Sequence, residues 1–172
     1  MTDKILINLA SQIKTACDNK YSIATAESCT GGMLAGFLTA IAGSSNYLYG
    51  GFVTYSNQAK IDMLGVKSPS LEQYGAVSKQ VALEMAIGAR VKSNSFLAAS
   101  ITGIAGHSGG TKTKPVGTVW FGIALKNGAY DHVEHFTGNR EQIRLNSCKT
   151  AMELILKYIP KTNEKPVITS RL

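Results

Sequence analysis

Segments with a helical apolar period alternate with short apolar runs of strand length along this chain, and that alternation confines it to folds in which helices cover a sheet. Residues 3–19 carry Ile5, Leu9, Ile13 and Ala16 at helical spacing, and Asn19 closes the segment before Ser22–Glu27 (SIATAE), a short buried strand. A glycine-led helix follows over 30–43. Residues 47–56 are aromatic and β-branched enough for a second strand, and Ser56 is placed to cap a helix running through Lys60 to Leu64, with Gly65 as its stop. A loop containing Pro69 and Gly75 leads to Ser78, a second N-cap, and to a helix with Val81, Met85 and Ala89 on one face. Residues 95–103 read as a buried strand, and 103–115 as a long glycine-rich loop. Two runs flanking Asn127-Gly128 form an antiparallel hairpin. The last helix spans 140–159, with Ile143, Met152, Ile155 and Ile159 facing the core. The sheet is therefore expected to be mixed and covered on both faces.

With 172 residues, 44% of them hydrophobic, the chain suits one core, expected over residues 1–160, followed by a basic tail over 161–172 in which Lys161, Lys165 and Arg171 follow Pro160. No run approaches the ~20 apolar residues of a membrane span, and the N-terminal segment is patterned as an amphipathic helix rather than a signal peptide. A cytoplasmic protein without a membrane partner is expected. Cys17, Cys29 and Cys148 form an odd set with no C-x-x-C pair, so neither a disulfide framework nor a zinc knuckle is indicated. A formal charge of +7 favours an anionic partner, either nucleic acid or a small phosphorylated metabolite. The basic residues are dispersed, which makes nucleic acid the weaker choice.

Residues 26–32 (AESCTGG) lie where the first strand gives way to a helix. Unpaired amides and a positive macrodipole are found at such a junction, and Gly31 and Gly32 let a ligand or a developing oxyanion approach the backbone. Ser28 is poised beside that field, although Ser28 and Thr30 could equally serve only as caps. The segment is not G-x-S-x-G, and Cys29 lacks the setting of a nucleophile motif.

Tyr55 and Lys60 flank the next strand-to-helix junction and can face the same crevice. A lysine that serves as base must be neutral, which requires lowering its pKa by ~3 units through burial or neighbouring cations; alternatively Lys60 is a solvated helix residue and Tyr55 a core aromatic. The Y-x-x-x-x-K spacing differs from that of short-chain dehydrogenases, and no dinucleotide-binding glycine motif stands near the N-terminus. The loop from Thr102 and Gly103 through Ala105 and Gly106 to Lys114 could cradle a phosphate or be an ordinary surface loop, and it misses the Walker pattern. Arg140 and Arg144, four apart near the start of the last helix, suit a phosphate or are solvated surface residues. His132 and His135, three apart on a strand, point to opposite faces, and neither a metal nor a cofactor is expected.

Taken in order, TAESCTGG, GGFVTYSNQAKIDMLGV, YGAVS, TGIAG, KPVGTV and GNREQIR resemble the C-terminal domain family of competence/damage-inducible protein A over residues 5–160. The resemblance implies a three-layer α/β/α sandwich with a mixed, mostly parallel sheet and one antiparallel hairpin, usually as a homodimer. Stand-alone members are nicotinamide-nucleotide amidohydrolases, which convert nicotinamide mononucleotide and water to nicotinate mononucleotide and ammonia in pyridine nucleotide salvage. The N-terminal domain of longer members is expected to be missing here. The family's serine, tyrosine and lysine fall on Ser28, Tyr55 and Lys60. The chain departs from the family at Ala105-Gly106-His107-Ser108-Gly109, where A-G-P-G-G is usual, and at Asn139, where Asp is usual.

The mechanism expected from these residues has neutral Lys60 taking the proton of Ser28, which attacks the carboxamide carbon or else orients a water. Tyr55 relays the proton to departing ammonia. Amides within Thr30–Gly32 or Thr102–Gly106 stabilise the oxyanion, and Glu27, Thr30, Gly31, Gly32, Thr102, Gly103, Ala105, Gly106, Lys114 and Arg140 form the expected substrate-binding set. Two rivals stand beside this reading. One is a non-catalytic nucleotide- or partner-binding module linked to DNA uptake and recombination; the other is an amidase for a different nucleotide or pyridine amide, raised by His107.

Overall fold

A computed structural model describes residues 2–106 and 109–160. Five strands form one sheet in the order β2-β1-β3-β4-β5, with β1 over Ile23–Glu27, β2 over Leu48–Val53, β3 over Leu97–Gly103, β4 over Thr118–Leu125 and β5 over Gly128–His135. β1 pairs in parallel with both β2 and β3, whereas β3–β4 and β4–β5 are antiparallel. The sheet is mixed as expected, with a second antiparallel pairing beyond the hairpin.

Helix α1 (Thr2–Cys17), α2 (Met33–Thr39) and α6 (Arg140–Tyr158) cover one face, where Leu6, Ile13, Leu34, Leu38, Phe121, Ile143 and Met152 are buried together. On the other face, α3 (Asn57–Leu64), α4 (Ser68–Tyr74) and α5 (Lys79–Ser93) bury Leu64, Leu71, Val81, Met85 and Ala89 against Ala24, Ala26 and Ala98. Parallel strands buried on both sides cannot alternate polar and apolar residues, which is why 22–27 and 95–103 read as continuous runs.

The caps explain most helix boundaries. Ser56 Oγ accepts from the Ala59 amide at 3.0 Å and starts α3, while Gly65, at φ 69, ends it. Ser78 caps α5, and Asn139 and Gln142 form a reciprocal capping box on α6.

Three local expectations are corrected. The stretch around Pro69 is helix α4, not loop: proline is tolerated in the first turn, and the Glu84 carboxylate accepts from the Lys67 amide and the Ser70 hydroxyl to supply the missing cap from α5. On α1 the core stripe is Leu6, Leu9, Ala10, Ile13 and Cys17, whereas Ile5 is 46% exposed and Ala16 only partly buried. The hairpin turn spans Lys126–Asn127, one residue earlier than the Asn127-Gly128 signal, because Leu125 pairs with Gly128 at the start of β5. The expected basic tail, and the departures at His107 and Ser108, lie outside the described residues.

Candidate active site

Register brings the site together. β1 and β2 run parallel and end level, with Glu27 paired to Val53, so Ser28 and Thr54 leave the sheet side by side. β1 is also level with β3, and the Ser28 amide donates to the Ile101 carbonyl at 2.9 Å, which puts Thr102 at the same height. The crevice thus opens at the carboxyl ends of adjacent parallel strands, the usual place for a site in an α/β sheet.

Side chains alternate across a strand. Glu27 therefore turns to the α2 face and Ser28 to the α3 face. Lys60, one turn into α3, extends its side chain under that crevice and is only 1% exposed. Its Nζ lies 3.0 Å from Ser28 Oγ, 2.9 Å from the Thr54 carbonyl oxygen and 3.3 Å from that of Tyr55. A neutral amine has two N–H donors and one lone pair, and this environment supplies two carbonyls and one hydroxyl. Burial lowers the Lys60 pKa from 10.5 to about 8, since no carboxylate pairs with the amine among the described residues. Ser28 is 9% exposed, so its hydroxyl sits at the floor of the crevice. The neighbouring Cys29 thiol is pushed up to about 12 by burial, which leaves it protonated and inert near neutral pH.

Tyr55 enters this cluster differently from expectation. Its backbone carbonyl touches Lys60, while its ring is 61% exposed and its phenol oxygen accepts from Arg140 Nη2 at 3.1 Å. Arg140, at the first turn of α6, also reaches the glycine-rich loop: a β-carbon on Gly106 would lie 3.1 Å from its Nη1. The guanidinium consequently bridges the end of β2 and the loop after β3, at the mouth of the crevice.

Glu27 is corrected from ligand contact to internal cap. It is fully buried, and its two carboxylate oxygens accept from the amides of Gly32, Leu34 and Ala35 at 3.0, 3.0 and 2.9 Å. The helix-start amides expected to hold an anion are thus already satisfied by an anion of the chain itself. Gly32 is spent on Glu27, and the Gly31 amide donates to the Ser28 carbonyl at 3.1 Å. Both glycines are needed for shape, with φ of 60 and 96. Of the Thr30–Gly32 amides, that of Thr30 alone has no acceptor among the described residues.

Lys114 is tethered to the Tyr74 carbonyl rather than to Arg140's side of the loop. The Thr102 hydroxyl donates to the Ala76 carbonyl at 2.8 Å, and the Ala105 side chain is in the core, leaving backbone as what Gly103, Ala105 and Gly106 can offer. Arg144, four residues beyond Arg140, departs from the pairing expected for a phosphate: its guanidinium donates to the carbonyls of Cys29 and Thr30. Sequence reasoning missed the parts played by Glu27 and by the Thr54 carbonyl. Strand alternation could have found the first, but nothing in a side-chain pattern marks a backbone acceptor. A groove of about 580 Å³ between α1 and α6, lined by Asn8, Ser11, Gln12, Thr15 and Leu156, holds no ionisable side chain among the described residues and offers no comparable chemistry there.

The fold and site define a mixed-sheet α/β/α protein with a buried serine–lysine pair at the carboxyl ends of its parallel strands. A profile of the CinA C-terminal domain matches residues 7–159, and the chain belongs to that family. It is 46% identical over 163 residues to the nicotinamide-nucleotide amidohydrolase PncC of Enterobacter agglomerans, covering 94% of this chain and 99% of the relative. A CinA-like protein of Syntrophomonas wolfei is 53% identical over 139 residues, 80% of this chain but 33% of the relative, so the chain spans about a third of that longer protein. Among solved structures, the competence/damage-inducible protein CihA of Agrobacterium tumefaciens superimposes with a TM-score of 0.86 at 45% identity, covering 89% of this chain and 94% of that one.

Proposed function

We propose that the protein is a nicotinamide-nucleotide amidohydrolase, releasing ammonia from nicotinamide mononucleotide to leave nicotinate mononucleotide. The observation that carries this reading is the buried Lys60 amine 3.0 Å from the Ser28 hydroxyl, in a chain of the CinA C-terminal domain family that is 46% identical to PncC amidohydrolases.

In this reading the Lys60 lone pair takes the Ser28 proton as Oγ bonds to the carboxamide carbon, and the carbonyl π pair moves onto oxygen. Collapse of the tetrahedral species breaks the C–N bond. The leaving nitrogen takes its proton from the Lys60 ammonium, while the Tyr55 phenol stands at the crevice mouth with Arg140. Water then adds to the acyl carbon, again giving its proton to Lys60, and Ser28 is released with the carboxylate product. The backbone of 102–106 supplies oxyanion donors, each typically worth about 3 kcal/mol. Arg140, between Tyr55 and Gly106, takes the 5'-phosphate. The positive pyridinium finds no competing cation at the floor if Lys60 is neutral. The enzyme works in cytoplasmic pyridine nucleotide salvage as a homodimer, an extension that rests on the family resemblance.

Ammonia release by purified protein tests the activity directly. Ser28→Ala and Lys60→Met should each reduce kcat by at least about a thousandfold while the protein stays folded. Parent-like turnover by Ser28→Ala would remove the serine from the chemistry, and a parent protein inert towards the mononucleotide but active on its riboside or free amide would reassign the substrate.

A further inference from the structure

We infer that β2 pairs edge to edge with β2 of a second copy of this chain, as an antiparallel seam about a two-fold axis at Gly51. The inference rests on the homodimer of the proposed function for its stoichiometry, and on nothing in the chemistry at Ser28.

β2 lies at one edge of the sheet, with β1 as its one neighbour among the described residues. The Thr54 amide donates to the Glu27 carbonyl at 2.8 Å and so points towards β1. Alternation along the strand therefore turns the N–H and C=O of Val53 and Gly51 the other way, out of the sheet edge. Gly51 is exposed, yet a β-carbon on it would lie 2.7 Å from Thr25 Oγ1 and 2.9 Å from Ala35 Cβ. What it exposes is its backbone, along the edge. Tyr49 and Val53 on either side are 62% and 44% exposed.

An open edge is a template for another strand, and proteins commonly guard it with charge or proline. The two edges of this sheet differ in that respect. β5, at the far edge, carries Asp131, His132, Glu134 and His135, with Asp131 paired to Lys79 at 2.8 Å. β2, read as LYGGFV, has neither a charge nor a proline.

The unguarded strand matches itself. With Gly51 opposite Gly51, the outward groups of the two glycines bond to each other, and Val53 of each copy stands directly opposite Tyr49 of the other. Two exposed side chains are thus covered at each end of the seam. Pairing β2 with β5 of another copy would be head to tail and would not close, and the β5 charges oppose it. The self-paired seam ends beside Thr54 and Tyr55, whose carbonyls hold the Lys60 amine.

The test is sedimentation of the full chain, of Tyr49→Glu, of Val53→Lys and of the double variant over a dilution series, with amide exchange read at Gly51 and Val53. The parent should be a dimer. Each single substitution should weaken it by at least about tenfold, because it leaves an unpaired charge in the seam. The double variant should recover most of that loss, since the register sets its two opposite charges face to face. In the dimer the Gly51 and Val53 amides should exchange at least about tenfold more slowly than in the dissociated single variants. A monomeric parent defeats the homodimer reading together with the seam. A dimeric parent that survives both single substitutions, or whose two amides exchange freely, defeats the seam alone. Dissociation by both single substitutions without recovery in the double variant overturns the register and the inference with it. If a variant does not fold, exchange of the two amides in the parent on dilution decides. Turnover enters none of these readouts, so failure of the amidohydrolase reading is separately visible as absent ammonia release.

Discussion

In the proposed reaction, the amine of Lys60 sets the conditions under which Ser28 reacts. Burial lowers its pKa from 10.5 to about 8, and two carbonyls occupy two of its valences. If the neutral amine is the base, kcat/KM should rise with pH and level off above about 8, falling about tenfold per unit below pH 7. A pH–rate profile checks this, and a flat profile from 6 to 9 would exclude Lys60 as base. The same shift has a stability consequence with a definite sign. The folded pKa lies below the unfolded one, so the unfolded chain binds the extra proton between about 8 and 10.5, and stability from this group grows as pH rises through that window. The span is worth about 3 kcal/mol, and it should vanish in Lys60→Met when denaturant unfolding is compared at pH 8 and 10. At the crevice mouth, Arg140→Ala should raise KM more than it lowers kcat, because a phosphate contact is equal in ground and transition states; a fall in kcat alone would move the phosphate elsewhere. Ser28, Tyr55 and Lys60 could be picked from the sequence because strand-to-helix junctions mark where side chains reach a crevice. That Tyr55 offers Lys60 a carbonyl and Arg140 its phenol could not.

The elements matter here chiefly through how closely they approach. Helix α5 packs against the end of α3 at Gly88, where an added β-carbon would lie 2.0 Å from the Leu64 carbonyl oxygen. Backbone cannot give way as a side-chain tip can, so Gly88→Ala should displace α3, which carries Lys60. We expect a loss of at least about 2 kcal/mol in chemical denaturation together with a lower kcat. Unchanged stability and rate would show that α3 is not held by this contact. Capping was well foretold at Ser56 and Ser78, since each cap is a local bond between a side chain and an amide three residues on. Helix α4 escaped notice because the carboxylate at its start comes from Glu84, 17 residues after Lys67. Local pattern carries no information about a cap supplied by another helix.

Across the whole molecule, binding and charge distribution give the last check. If nicotinate mononucleotide occupies the crevice, a concentration near 100 Kd should stabilise the protein by about 2.7 kcal/mol and raise its melting temperature by about 5 to 10 °C. Labelled DNA should show no salt-dependent shift at micromolar protein, since the excess of seven positive charges is spread along the chain; a steep salt dependence would favour a nucleic-acid partner. The sequence by itself determined the alternation of helices and buried strands, the caps at Ser56 and Ser78 and the family, because periodicity, capping and motif order are properties of neighbouring residues. Only the tertiary structure decided which charges are spent inside the protein. The level ends of β1 and β2 bring Lys60 to Ser28, Glu27 fills the helix start that seemed open to a ligand, and Arg144 grips carbonyls 114 and 115 residues away. Those outcomes depend on strand register and on the packing of α6 over the sheet, and both are set by the buried core as a whole rather than by any local run of residues.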